Sequence, residues 1–347
     1  MTDPTLMRQE IDDQPEALRR TFQALVPLVG ELRAAADDTS QVLFIARGSS
    51  DNAAIYGQYL CSVRAGRLAT LASPSVATIY RARMDLHGVL AVAVSQSGGT
   101  EEIVETLEWA SAAGARTVAV TNVAGSKLAE AADIALVTQA GEEFAVPATK
   151  TFTTQLAAMA VLAAALGGGE LGELERVPDA VATMLETAAA AQELAGWLTY
   201  VDTVVVSGRG YAYSTALETA LKLKEACYVT AVGLSFGDLL HGPIAIVDHD
   251  TPALLVAAAD GPVLDSMTGL ARRISQAGAQ VYGIGGDSAF AAECRAVLPG
   301  PALPEHLAPL GQIVPAQLMV EALARARGID PDAPRGLRKV TQTATGS

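Results

Sequence analysis

Cysteine is scarce in this chain of 347 residues: Cys61, Cys227 and Cys294 are three in number and far apart. That argues against a disulfide framework or a clustered zinc site and suits a reducing, cytoplasmic setting. Aromatic residues make up 5% of the chain although half of it is hydrophobic, so its cores must be built from Ala, Val, Leu and Ile. No apolar run is long enough for a membrane. The longest, residues 156–166, has eleven residues, against about 20 for a spanning helix. Basic residues are outnumbered, 24 Lys and Arg against 38 Asp and Glu, giving a formal net charge of −14. Such a surface repels nucleic acid and anionic lipid alike, so neither is expected as a partner. The opening Met1-Thr2-Asp3-Pro4 lacks the apolar core of a signal peptide. The four histidines are dispersed and lack carboxylates at ligand spacing, which argues against a metal. Nucleotide fingerprints are missing too, so no cofactor is expected.

What is present centres on Ser95-Gln96-Ser97-Gly98-Gly99-Thr100. An apolar run, Leu90-Ala91-Val92-Ala93-Val94, precedes it and reads as a buried strand; the stretch from Glu101 to Trp109 follows and reads as a helix. Hydroxyls, a carboxamide and glycines thus fall where a strand meets the positive end of a helix dipole, a place suited to an anion. There is no Lys in the loop and no triphosphate-loop spacing, so a single phosphate ester is the natural guest. A plain Ser-rich helix cap is the other reading.

The chain also repeats itself. Val42-Leu43-Phe44-Ile45-Ala46-Arg47-Gly48-Ser49 resembles Val204-Val205-Val206-Ser207-Gly208-Arg209-Gly210-Tyr211 at an offset of 162, and Ala113-Gly114-Ala115 recurs as Ala277-Gly278-Ala279 at 164. Short β-branched runs alternating with helical stretches predict α/β layers with parallel sheets and right-handed crossovers. The expected organisation is a helical segment over 1–36, read as one helix from about Leu6 to Ala36, then a first domain over 37–165. A helical connection over 166–194, a second domain over 195–327 and a tail over 328–347 follow, with Pro331 and Pro334 keeping the tail non-helical.

The second copy replaces the hydroxyl loop with Ala259-Asp260-Gly261-Pro262, so only the first is equipped for phosphate. It offers instead Glu218, Lys222 and Glu225 at i, i+4 and i+7 on one helical face. They are either a solvated row of ion pairs, with Leu217, Ala220, Leu221 and Cys227 pointing inward, or a Lys–carboxylate group set for proton transfer. His241 lies in a glycine turn before Pro243 and is a candidate for function. His87 and His249 read as surface residues, and His306 stands in a Pro-bounded loop.

The stretches Met7-Arg8-Gln9-Glu10-Ile11, Arg47-Gly48-Ser49-Ser50, the 95–100 loop, residues 146–155, residues 216–225, His241-Gly242-Pro243 and residues 334–341 carry a family resemblance. In that order they resemble the sugar-isomerase half of glutamine–fructose-6-phosphate aminotransferase and its stand-alone relatives of the sugar isomerase (SIS) superfamily. The resemblance implies two tandem SIS-type three-layer α/β/α sandwiches. It gives Ser50, Ser95, Gln96, Ser97 and Thr100 to the sugar phosphate, and Glu143, Val146 and Ala148 to the sugar. Glu225 would move a proton between C1 and C2, with Lys222 and Glu218 beside it, and Lys339 would form a Schiff base with the ketose carbonyl. His241 would assist ring opening and reach in from the partner subunit, which implies a homodimer. Ala148 stands where the aminotransferase usually has a hydroxyl residue, and Gly99 replaces an acidic one.

The sequence starts where the family's isomerase half starts, which leads to the expectation of no tethered glutaminase domain and no N-terminal Cys nucleophile. Mass action at low ammonia then favours deamination of glucosamine 6-phosphate to fructose 6-phosphate. An ammonia-dependent aminotransferase subunit, a deglycase or isomerase of another phosphosugar, and a non-catalytic sugar-phosphate sensor stay open. A sensor would need the phosphate loop but not Glu225, His241 and Lys339 together.

Overall fold

The computed structural model describes residues 4–339; residues 1–3 and 340–347, including the end of the 334–341 stretch, lie outside it. Among the described residues, ten strands form two sheets, parallel throughout. β1 (Gln41–Ile45), β2 (Leu68–Leu71), β3 (Val89–Val94), β4 (Arg116–Thr121) and β5 (Ile134–Val137) pair in the order β2-β1-β3-β4-β5. The others are β6 (Thr203–Gly208), β7 (Thr230–Ser235), β8 (Ala253–Ala257), β9 (Val281–Gly285) and β10 (Ala296–Leu298). They pair as β10-β9-β8-β6-β7, the same order read from the opposite edge. The tandem parallel α/β design expected from the repeats is therefore present.

The chain forms two compact units. One contains Glu16–Glu143, Lys150–Glu175 and the tail from Arg338; the other contains the chain start up to Pro15, Phe144–Thr149 and Arg176–Leu337. In the first, β3 is buried at every residue, as expected for a parallel strand covered by helices on both faces. The helix Lys150–Ala165 is buried along its whole length, which accounts for the long apolar run in the sequence. It packs on the helix Ser49–Val63. A Cβ on Gly57 would stand 2.7 Å from Met159 Sδ and 2.8 Å from Phe44 Cζ, so the missing side chain sets this close approach.

The N-terminal segment departs from the single helix expected. It divides into Leu6–Asp12, Gln14–Leu25, a 3-10 turn Val26–Leu28 and Val29–Ala35. Pro27 lies in that turn, where its missing N–H cannot support a continuing helix.

In the second unit, the helix Ala308–Ala326 is buried over nearly all its length despite Pro315 inside it. Two glutamines buried in it make hydrogen bonds, as buried polar groups usually do. Gln312 Nε2 donates to Ala257 O at 2.7 Å, and Gln317 Oε1 accepts from Gln14 Nε2 at 2.7 Å. Residues 329–339 are non-helical, as expected of this part of the tail. Asp332 accepts hydrogen bonds from Leu6 N at 2.8 Å and Met7 N at 2.7 Å, capping the first helix of the chain.

Candidate active site

With the order β2-β1-β3-β4-β5, the chain leaves β1 and β3 in opposite directions, and a crevice opens beyond their carboxyl ends. Two loops border it. The first leads from β1 through Gly48 (φ 60) into the helix Ser49–Val63, which places Ser50, buried, in its first turn. The second is the 95–100 loop, leading from β3 into the helix Glu101–Ala112. Gly98 takes φ 59, and a Cβ there would collide with Ser126 Oγ, so the turn requires glycine. Ser95 Oγ and Thr100 Oγ1 face each other at 3.3 Å, and Ser97 Oγ accepts from Gly99 N at 3.2 Å. Thr100 occupies the N-cap position but its side chain makes no capping hydrogen bond. The Ser95 and Thr100 hydroxyls therefore face one another rather than capping the helix.

One charged pair beside this loop escaped the sequence reading. Arg47 Nε and Nη2 donate to Glu102 Oε2 and Oε1 at 3.2 and 3.3 Å. Glu102 lies in the first turn of the helix after the loop, where an unneutralised carboxylate would repel an anion. The bidentate guanidinium offsets that charge. Arg47 had been noticed only as part of a motif, since nothing in the spacing of 47 and 102 reveals the pair.

Lys339 and Glu143 come together in the same unit. Lys339 Nζ donates to Glu143 Oε2 at 2.7 Å; the carboxylate is fully buried and the amine side chain is 25% exposed. Thr151 fixes the carboxylate through its N–H to Oε1 at 3.1 Å and its Oγ1 to Oε2 at 2.7 Å. Nothing in the sequence marks Thr151 as the partner of Glu143. Val146 and Ala148, assigned to the sugar by resemblance, are half-buried in the segment Phe144–Thr149, and Val146 N donates to Asp332 O at 2.9 Å.

In the other unit, Glu218, Lys222 and Glu225 lie on the helix Ala212–Cys227. The solvated-face reading fails for them: Glu218 is 0% and Lys222 1% exposed, while Leu217 and Leu221, expected to point inward, are only half-buried. Lys222 Nζ stands 3.5 Å from Glu218 Oε1 and donates to Glu225 Oε2. At 3.5 Å and an effective dielectric constant of about 20, the Lys222–Glu218 attraction is roughly 5 kcal/mol. Desolvating each ion costs several kcal/mol. Desolvation thus offsets much of that attraction, and a buried, charge-coupled group is a candidate for function. Of the three, Glu225 reaches solvent, its side chain 23% exposed. His241, at the end of the short helix Phe236–Leu240, is exposed.

The SIS-domain profile matches residues 37–165 and again 198–326. The chain belongs to the SIS-domain family. It is 35% identical over 337 residues to the glutamine–fructose-6-phosphate aminotransferase of Methanothermobacter thermautotrophicus, a match covering 96% of this chain and 56% of that protein. The chain thus spans little more than half the length of that relative, and it is homologous to the aminotransferase's isomerase part. Among solved structures, it is similar to the C-terminal domain of glucosamine-fructose-6-phosphate aminotransferase from Francisella tularensis. The TM-score is 0.87 at 27% identity, covering 96% of this chain and 99% of that one. A Silicibacter pomeroyi protein described provisionally as a phosphosugar isomerase gives 0.84 at 36% identity, over 95% and 100% of the two chains.

The second SIS repeat has the matching crevice beyond β6 and β8, and it is occupied by the chain itself. A Cβ on Gly261 would collide with Glu305 Oε2, and one on Gly210 would stand 3.6 Å from Glu305 Oε1. The Glu305 carboxylate thus rests against both glycine turns. Burial, and then the charge of Asp260, push its pKa above the usual 4.5. The folded chain therefore holds this proton more tightly than the unfolded chain, and the ionised carboxylate detracts from stability above pH 4.5. Glu305→Gln is expected to raise the melting temperature at pH 7–8, with the gain shrinking to nothing as the pH falls below about 4.5. Thermal melts of both proteins across that range check the sign.

Proposed function

We propose that this SIS chain is an aldose–ketose isomerase of amino-sugar phosphates and that, acting alone, it deaminates glucosamine 6-phosphate to fructose 6-phosphate and ammonia. The carrying observation is the Lys339 amine held 2.7 Å from the buried Glu143 carboxylate. That pair supplies a nucleophilic nitrogen with a proton acceptor already in hydrogen-bond contact. In this reading the 95–100 loop and Ser50 hold the phosphate. Glu225 takes the C2 proton of the open-chain amino sugar and returns it to C1, giving a C2 imine. The Lys339 amine adds to C2 and ammonia leaves, so that one imine replaces another. Water then hydrolyses the lysine imine, releasing fructose 6-phosphate and the free amine. His241, exposed on its turn, assists ring opening across a homodimer interface.

Burial pushes Cys61, Cys227 and Cys294 each up to about 12, with Glu293 adding to the effect at Cys294. A thiol so poorly ionised is a poor nucleophile for releasing ammonia from glutamine. At low ammonia, mass action favours release of the amine over its addition. The identity to aminotransferases supports a second reading, the ammonia-using part of an amino-sugar synthase.

Purified protein given glucosamine 6-phosphate is expected to release ammonia and a 2-ketose phosphate. Unphosphorylated glucosamine should turn over poorly in kcat as well as KM, because the remote phosphate helps organise the reacting carbons. Glutamine should not drive the reverse reaction. Synthesis from glutamine alone would refute the deaminase. Binding of the ester without chemistry in either direction would make the chain a sensor.

A further inference from the structure

The helix Ala212–Cys227, which bears Glu225, ends on Tyr228 with φ 55 and ψ 31. That left-handed conformation comes freely to glycine, the usual residue at such a helix end, and is resisted by side chains. A tyrosine held there calls for a use of its side chain, and two are visible. Tyr228 Oη accepts a hydrogen bond from Arg335 N at 2.7 Å. The Arg335 guanidinium lies over the Tyr228 ring, 4.3 Å from its centroid, at cation–π range. Three residues earlier, Asp332 is fixed by the backbone of Leu6 and Met7. The tail is therefore pinned at 332 and 335, and Lys339 follows within about 14 Å of extended chain.

We infer that Tyr228 and Arg335 form a clasp that sets the reach of the tail, making both positioning residues for the Lys339 amine. The clasp fixes the chain four residues ahead of that amine. The inference rests on the reading of Lys339 as the imine-forming residue. On that footing, Tyr228 stays in strained backbone because glycine would free the tail.

Borohydride reduction in the presence of fructose 6-phosphate reads the amine directly, since it converts the lysine imine to a stable secondary amine seen as added mass. Trapping should slow about tenfold in Tyr228→Phe, which loses only the hydroxyl, and by about 10–100-fold in Tyr228→Gly and Arg335→Gln, as for a misplaced reacting group. Arg335→Lys, which keeps a cation over the ring, should recover part of the rate. Deuterium uptake at C2 of glucosamine 6-phosphate, which reads Glu225 alone, should be unchanged. Tyr228→Gly should melt no lower than the parent, because the left-handed strain is gone. If melting temperature and deuterium uptake fall in step with trapping, the pair is merely structural. Trapping in the parent that is undiminished in the variants refutes the clasp alone, and no trapping in the parent refutes the Lys339 reading and the clasp with it.

Discussion

Glu225→Gln is expected to lower turnover of glucosamine 6-phosphate by about 10²–10⁴, the usual contribution of a positioned general base, with binding of the phosphate ester largely retained. The substitution keeps shape and removes the proton acceptor. It is a cleaner test than a change at Lys222 or Glu218, because these lie at 1% and 0% exposure and removing one member of a buried charge pair costs about 3–5 kcal/mol. Such variants would confound catalysis with folding. Glu225 is the member that reaches solvent, so its amide can be rehydrated. Deuterium exchange at C2 should fall in parallel with turnover. Normal exchange in the Gln variant would place the base elsewhere.

Lys339→Met, or truncation ahead of residue 339, is expected to cost at least about 10³ in turnover. A positioned intramolecular nucleophile has an effective concentration that reaches about 10⁵–10⁸ M in favourable cases, and neither change leaves an amine to replace it. Thermal melts of both variants separate folding from chemistry, because Glu143 is fully buried although Lys339 is 25% exposed, and removing one member of a buried charge pair costs about 3–5 kcal/mol. The Glu143 carboxylate keeps its two hydrogen bonds from Thr151 in either variant. Borohydride should label the parent protein with fructose 6-phosphate and leave Lys339→Met unlabelled. Near-normal turnover in either variant would rule out imine chemistry at this residue.

The architecture was legible because parallel strands covered on both faces read as continuous apolar runs, and because the motif at Val42 recurs at Val204. The loop at 95–100 was legible as a strand-to-helix turn because an apolar run precedes it and a helical pattern follows. The N-terminal segment was misread, since its hydrophobic pattern continues through Pro27 while its backbone does not. The row at 218, 222 and 225 could not be settled from spacing, because helical periodicity gives the shared face but not what covers it. Arg47–Glu102, Thr151–Glu143 and Tyr228–Arg335 join residues separated by 55, 8 and 107 positions. Such partnerships are set by tertiary packing, for which one sequence carries no signal.

The carboxylate lodged in the second repeat's crevice has a consequence for how a duplicated fold divides its labour. Two copies with the same strand order begin with equivalent openings, and a guest accepted by both would meet two unlike sets of surroundings. With Glu305 resting on the Gly210 and Gly261 turns, an anion is turned away from one copy by charge and by bulk. On this arrangement each polypeptide saturates at one equivalent of phosphate ester. The closed copy is released from the demands of recognition, and its first long helix is available to carry Glu218, Lys222 and Glu225. Symmetry at the level of the backbone thereby becomes asymmetry at the level of chemistry through a single side chain.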